Sequence, residues 1–214
     1  MWECEGITGE GHHQPFKQSI WRGKNAVIVG AGRSMWADDD RIPESWDRVA
    51  VNHVITLYRK PIAHAVSIHS ELMWSMCLLR KLQCHNGVRT PLLEYSAHGH
   101  RKAPDFPELV PWGLRPADGS SSLYALRIAI VLGYKKIVLA GCDMDGSGHF
   151  YDPPGLAECG TGYLPPNDKR VNYAHLHQSY AWAQMGKLHG DKIRASGGAP
   201  LKWFRKVDDE FLRQ

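Results

Sequence analysis

Continuous apolar runs rich in β-branched residues punctuate this chain, and between them apolar positions recur every third or fourth residue. The run NAVIVG at 25–30 reads as a buried strand, because both of its faces are apolar and a glycine closes it. Similar runs predict strands at 48–54, 64–70, 88–95, 136–141 and 192–196. Helical spacing predicts a helix at 71–83, capped by Ser70 and carrying Leu72, Met76, Leu79 and Leu82 on one stripe, with Met73 and Trp74 read as core beside Met76. Further helices are expected at 123–133, at 172–188 on Tyr173, Leu176, Tyr180 and Ala183, and within 203–212. No clean helix pattern follows the glycine turn at 30–34; Asp38, Asp39 and Asp40 with Pro43 and Glu44 read as a polar connection. The stretch 96–118 reads as a long loop, with Pro104, Pro107, Pro111 and Pro116 and the basic cluster His98, His100, Arg101 and Lys102. The Gly/Pro-rich segment 153–170 has the composition of a lid, and residues 1–23 carry no periodicity.

Alternating strands and helices of these lengths predict the α/β class. The expectation is a single Rossmann-like domain over 24–214, with a mostly parallel sheet, helices on both faces and an N-terminal extension at 1–23. With 214 residues, 43% of them hydrophobic, the chain can bury a full core. No apolar run approaches the ~18 residues of a membrane span, and the polar, acidic start does not resemble a secretory leader. The five cysteines are scattered without a CxxC pair, which suggests neither a disulfide framework nor a zinc ribbon but reduced thiols and a cytoplasmic setting. A net charge of +4 admits an anionic substrate without indicating nucleic acid.

In a parallel sheet the carboxyl ends of all strands lie on one edge, and several here are polar. They are Gly30, Ala31, Gly32 and Ser34 after the first strand, Asn52 after the second, His69 after the third, and the loop from Asp143 through Asp145 to Tyr151. The two glycines let backbone approach a ligand closely. Gly119 to Ser122 opens a helix with free N–H groups and hydroxyls, which suits an anion. Together these groups predict a nucleotide or nucleotide-like ligand held by Gly30, Ala31, Gly32, Ser34, Asn52, His69, Ser120, Ser121 and Asp143. Asp143 and Asp145 either ligate Mg²⁺ or Mn²⁺, or Asp143 shapes its own loop as Asp does in turns. His175 and His177 stand two apart on a helix and face different ways; one serves as a general base in the crevice, or both are surface residues.

The order GAGRS, VNH, SIHS, a Ser-opened helix running into IAIVLGYKKIVLAGCDMDGSGHFYD, and a later NYAHLH resembles the bacterial sialyltransferases of glycosyltransferase family 42. It is also similar to the related Rossmann-like family of archaeal 6-hydroxymethyl-dihydropterin diphosphokinases. The likeness is best over 119–152, fair over 25–34 and 48–70, and covers about half of the chain. It implies that Asn52 and Ser120 or Ser121 contact the nucleotide, that Tyr151 assists the departing phosphate, and that His175, with His177 second, is the catalytic base. The chain departs from the sialyltransferase pattern at Ala31 and His69, where the family has Asn, and at Asp145, where it has a second Tyr. The expected function is therefore transfer from a nucleotide-activated sugar to a small-molecule or glycan acceptor, with His175, Tyr151 and Asp145 as catalytic candidates. The alternatives are a Mg²⁺-dependent pyrophosphokinase using Asp143 and Asp145, and a non-catalytic nucleotide-binding module. A homo-oligomer is allowed.

Overall fold

The computed structural model describes residues 21–85, 96–112, 114, 120–143, 150–151 and 169–213, the side chains of 84–85, 169–178 and 199 excepted. Its strands are β1 (Asn25–Val29), β2 (Asp47–Val51), β3 (His64–Val66), β4 (Ser96–Gly99), β5 (Val110–Pro111), β6 (Lys136–Ala140), β7 (Ile193–Ala195) and β8 (Arg205–Lys206). They form one sheet in the order β5-β4-β3-β2-β1-β6-β7-β8, and every pair is parallel. The helices are α1 (Met35–Asp39), α2 (Val54–Leu57), α3 (Ser70–His85), α4 (Ser121–Val131), α5 (Lys169–His189) and α6 (Asp209–Arg213).

Strand alternation divides the apolar side chains between two cores. Ala26, Ile28, Val49, Val51, Ile137 and Leu139 face one core with α4 and with Trp182 and Met185 of α5. Val27, Val29, Ala50, Val138 and Ala140 face the other, with residues from α1, α2, α3 and α6. The sheet is therefore covered on both faces, which is why its central strands read as unbroken apolar runs. The α/β architecture, the parallel sheet and the flanking helices are as the sequence predicts.

Several boundaries differ. The fourth strand lies at Ser96–Gly99, inside the stretch expected to be a loop, while 86–95 is outside the described residues. Its signal was hidden because Ser96 and His98 are polar. His98 is nonetheless completely buried, as is His64. Trp112 Nε1 donates to His98 Nδ1 at 2.8 Å, His98 Nε2 lies 2.8 Å from His64 Nδ1, and His64 Nε2 lies 2.9 Å from the Tyr134 hydroxyl. Tyr134 then donates to Asp47 Oδ2 at 2.9 Å. The Trp112 donor fixes the direction of the chain, so each neutral imidazole carries its proton on Nε2. Burial lowers both imidazoles below the usual histidine range, His64 to about 3. His98 is thus a neutral core residue rather than part of a basic surface cluster. The two-residue β5 contains Pro111, admissible at a sheet edge where one row of hydrogen bonds is absent.

α1 begins directly after the glycine turn, where no helix was expected. Asp38 and Asp39 within it and Asp40 just after it disguise it, and Asp39 is fully buried. Arg48 Nε at 3.2 Å, Lys60 Nζ at 2.6 Å and the Tyr58 hydroxyl at 2.7 Å satisfy that carboxylate. The second strand stops at Val51 and the third at Val66, both short of expectation; Val54–Leu57 is helix. On α3 the stripe is rotated. Met73, Met76, Cys77 and Arg80 are buried, whereas Leu72, Trp74, Leu79 and Leu82 are 46%, 48%, 49% and 52% exposed. Arg80 takes the place of an apolar residue because its guanidinium donates to the main-chain oxygens of Ile55, Tyr58 and Lys60 around the end of α2. α5 starts at Lys169, so the last two residues of the expected lid are helical, and Tyr180 is 69% exposed. Of the terminal helix expected within 203–212, only the end is helical, as the short α6 from Asp209; β8 at Arg205–Lys206 takes its first half, and a 3-10 turn at Ala199–Lys202 precedes it.

Candidate functional site

β1 lies between β2 and β6, and the chain builds outward from it in opposite directions on its two sides. In open α/β sheets that reversal opens a crevice beyond the carboxyl ends of the strands. The turn from Gly30 to Ser34 sits there against the end of β6. Gly30 N–H donates to Ala140 O at 2.8 Å and Gly32 N–H to Gly141 O at 2.7 Å. A Cβ on Gly30 would collide with Gly141 O, and one on Gly32 with the Asp143 carboxylate, so both positions require glycine. Gly141 itself has φ +61°.

Asp143 is 6% exposed and is held from both oxygens. Oδ2 accepts the Ser34 N–H at 3.1 Å, and Oδ1 lies 2.6 Å from Ser34 Oγ. Ser34 Oγ also lies 2.6 Å from Asp38 Oδ2, which accepts the Gly141 N–H at 3.0 Å. The four residues cross-brace the ends of β1 and β6. A carboxylate used in this way does not fit an open metal ligand, and its geometry is that of the turn-shaping Asp. Asp145 lies outside the described residues, among which no group of three His, Cys, Asp or Glu could share a metal ion. Cys142 is buried beside Asp143, and burial pushes its thiol up to about 12, which leaves it protonated and non-nucleophilic.

A second group spans β2, β3 and α4. Asn52 has φ 53°, a left-handed conformation that Asn tolerates better than most side chains. Its Oδ1 accepts the Ser67 hydroxyl at 2.8 Å, and Ser67 Oγ accepts the His69 N–H at 2.9 Å. The Ile68 N–H reaches Ser121 Oγ at 3.5 Å. With its carbonyl oxygen so tied, the Asn52 amide presents its NH₂ group, which has no hydrogen-bond partner among the described residues. Ser120 caps α4 by accepting the Leu123 N–H at 3.3 Å. The first-turn N–H groups of α4 lack intrahelical acceptors and form the positive end of its dipole.

A third group closes over the turn. Phe150 N–H donates to Ala31 O at 2.9 Å. The Phe150 ring stands edge-on to Trp36 at 5.7 Å, and Trp36 stacks on Tyr58 at 5.6 Å. Tyr151, 38% exposed, packs against Phe150 at 5.1 Å and against the His53 ring at 5.8 Å.

Of the residues singled out from sequence, Gly30, Ala31, Gly32, Ser34, Asn52, Ser120, Ser121, Asp143 and Tyr151 come to this one edge. The His69 ring faces Glu71, with Nδ1 3.4 Å from Oε1, on the surface. His175 and His177 lie within α5, and their side chains are outside the described residues, as is Gly119. Asp38, Ser67 and His53 also belong to the site, beyond the residues the strand ends predict. Asp38 had a signal in its four-residue spacing from Ser34, which places both on one side of α1. Ser67 had one as the polar member inside the apolar run AVSI.

No protein-family model matches the chain, and no curated protein matches it. Solved structures do. The sialyltransferase CstII from Campylobacter jejuni, in complex with a substrate analogue, cytidine-5'-monophosphate, superposes with a TM-score of 0.61 at 15% identity, over 90% of this chain and 88% of that one. The sialyltransferase CST-II in complex with trisaccharide acceptor and CMP gives 0.57 at 17%, over 89% and 88%. CstII with the substrate analogue CMP-3FNeuAc gives 0.59 at 15%, over 87% of each chain. At such identity the likeness establishes a shared fold along almost the whole of both chains.

Proposed function

We propose that this protein is a glycosyltransferase that takes its sugar from a nucleotide-activated donor, in the manner of a sialyltransferase. The supporting observation is the fold itself, which follows sialyltransferases crystallised with CMP and with a CMP-sugar analogue over 90% and 87% of this chain. In this proposal the glycine turn at Gly30–Gly32, the Asn52 amide and the Ser120–Ser121 helix start hold the nucleotide. Tyr151 donates to the departing phosphate, which gathers negative charge as it leaves. His175 takes the proton of the acceptor hydroxyl while its oxygen bonds to the anomeric carbon and the bond from that carbon to the phosphate oxygen breaks. Residues 153–168 of the segment read as a lid lie outside the described residues. The pyrophosphokinase alternative asks for carboxylates open to Mg²⁺, and Asp143 has both oxygens engaged by Ser34.

The test is a panel of CMP-, UDP- and GDP-sugars assayed by thermal shift, followed by mass spectrometry of glycan acceptors incubated with any binder. A donor at 100 times its Kd raises stability by about 2.7 kcal/mol, enough to move a melting curve. Failure of every donor to shift it, or binding with no transfer to any acceptor, overturns the proposal. His175→Ala should abolish transfer while leaving donor binding in place; unchanged transfer removes the histidine from the mechanism.

A further inference from the structure

In sheet order β2 and β6 flank β1. His53, one residue past Asn52 beyond β2, and Tyr151, beyond β6, therefore meet across the end of β1, above the glycine turn. Their rings are 5.8 Å apart at 74°, an edge-to-face contact. Phe150 ties the same segment to the turn through Ala31 O. His53 is exposed, and neither of its ring nitrogens has a hydrogen-bond partner among the described residues.

We propose that His53 contacts the phosphate of a bound nucleoside phosphate, its imidazole N–H donating to a phosphate oxygen beside the Tyr151 hydroxyl. The inference rests on the glycosyltransferase proposal and adds to it a residue and the ligand atom it recognises. Chemistry at this edge favours an anion. The imidazole and phenol are donors, the Asn52 NH₂ group is the next donor along β2, and the positive end of α4 opens on the same side. The two carboxylates that brace the turn, Asp38 of α1 and Asp143 after β6, are occupied by Ser34 and the Gly141 N–H. The contact makes and breaks hydrogen bonds only.

Isothermal titration separates the phosphate from the rest of the ligand. Wild type, His53→Ala and His53→Gln are each titrated with CMP, UMP, AMP and GMP and with the four corresponding nucleosides. We expect His53→Ala to weaken the best-bound monophosphate about 10- to 100-fold, as for loss of a hydrogen bond to a charged group. It should leave the parent nucleoside unchanged, and His53→Gln, which keeps an N–H donor, should recover part of the loss. Because His53 is exposed, the ligand-free melting temperatures should agree. Equal weakening of nucleoside and monophosphate would place His53 against the base or sugar, and no weakening would remove it from the ligand; either overturns the proposal. If wild type binds none of the eight compounds, the glycosyltransferase proposal falls as well, a result distinct from both.

Discussion

The buried His64–His98 pair makes stability depend on pH in a way that can be calculated. Burial, assisted by the Lys24 charge, lowers the His64 imidazole from 6.5 to about 3. Burial, assisted by the His64 charge, lowers that of His98 as well. The fold therefore prefers both imidazoles neutral, whereas the unfolded chain binds protons at ordinary histidine values. Their contribution is fully present above pH 6.5 and is lost as pH falls from there toward about 3. At roughly 1.4 kcal/mol per pH unit, His64 alone removes about 2 kcal/mol by pH 5. The loss levels off near ~5 kcal/mol below about pH 3, and His98 acts in the same direction. The groups around the pair, Trp21, Trp112, Tyr134 and Asp47 with Lys24 beside it, offer one carboxylate, already engaged by Tyr134. The assay is urea unfolding at pH 7.5 and pH 5.0 for wild type and for His64→Phe, comparing the pH-dependent change rather than absolute stability. The variant should lose about 2 kcal/mol less than wild type between the two conditions, with other histidines cancelling. Equal losses would refute the reasoning.

Gly32→Ala drives a methyl group into the Asp143 carboxylate and should cost about 1–3 kcal/mol together with nucleotide binding, while Gly197→Ala, with open space around it, should be silent in both thermal melts and titrations. Asn52→Gly keeps the left-handed backbone at little cost, whereas Asn52→Ala adds about 1–2 kcal/mol of strain; both lose the amide, so only stability should separate them in urea unfolding. Asp39→Ala leaves Arg48 buried without its carboxylate and should cost about 3–5 kcal/mol, measured the same way. Ser34→Ala removes the bridge between Asp38 and Asp143 and should weaken nucleotide binding more than it lowers the melting temperature.

The fold was legible where burial is two-sided. After the polar residues that open them, Asn25 and Lys136, β1 and β6 read AVIV and IVLA with no polar position, so both strands and the glycine turn after β1 could be read directly. β4 was not legible, because it holds Ser96 and the buried His98, whose ring bonds to His64 and Trp112 only tertiary packing reveals. α3 misled for the complementary reason: a buried arginine stands where the stripe asks for leucine, and four large apolar side chains face outward. At the site, the polar strand ends identified the edge. What sequence could not supply was pairing across it. Nothing local says that Asp38 reaches Gly141, or that His53 and Tyr151, 98 positions apart in the numbering, share a ring contact.

The central place of β1 carries a cost during synthesis. Its partner β2 is available almost at once, but β6 emerges roughly 110 residues later, about 5–20 s at ordinary translation rates. Through that interval the nascent half-sheet ends on β1, whose Ala26–Val29 are all apolar, and the open flank of that strand is a template for pairing with other chains. A fragment ending before Lys136 should accordingly sediment in pelleting assays while the full chain stays in the supernatant. Slowing the ribosome ahead of β6 should lower the yield of native protein, whereas slowing it after β7 should not.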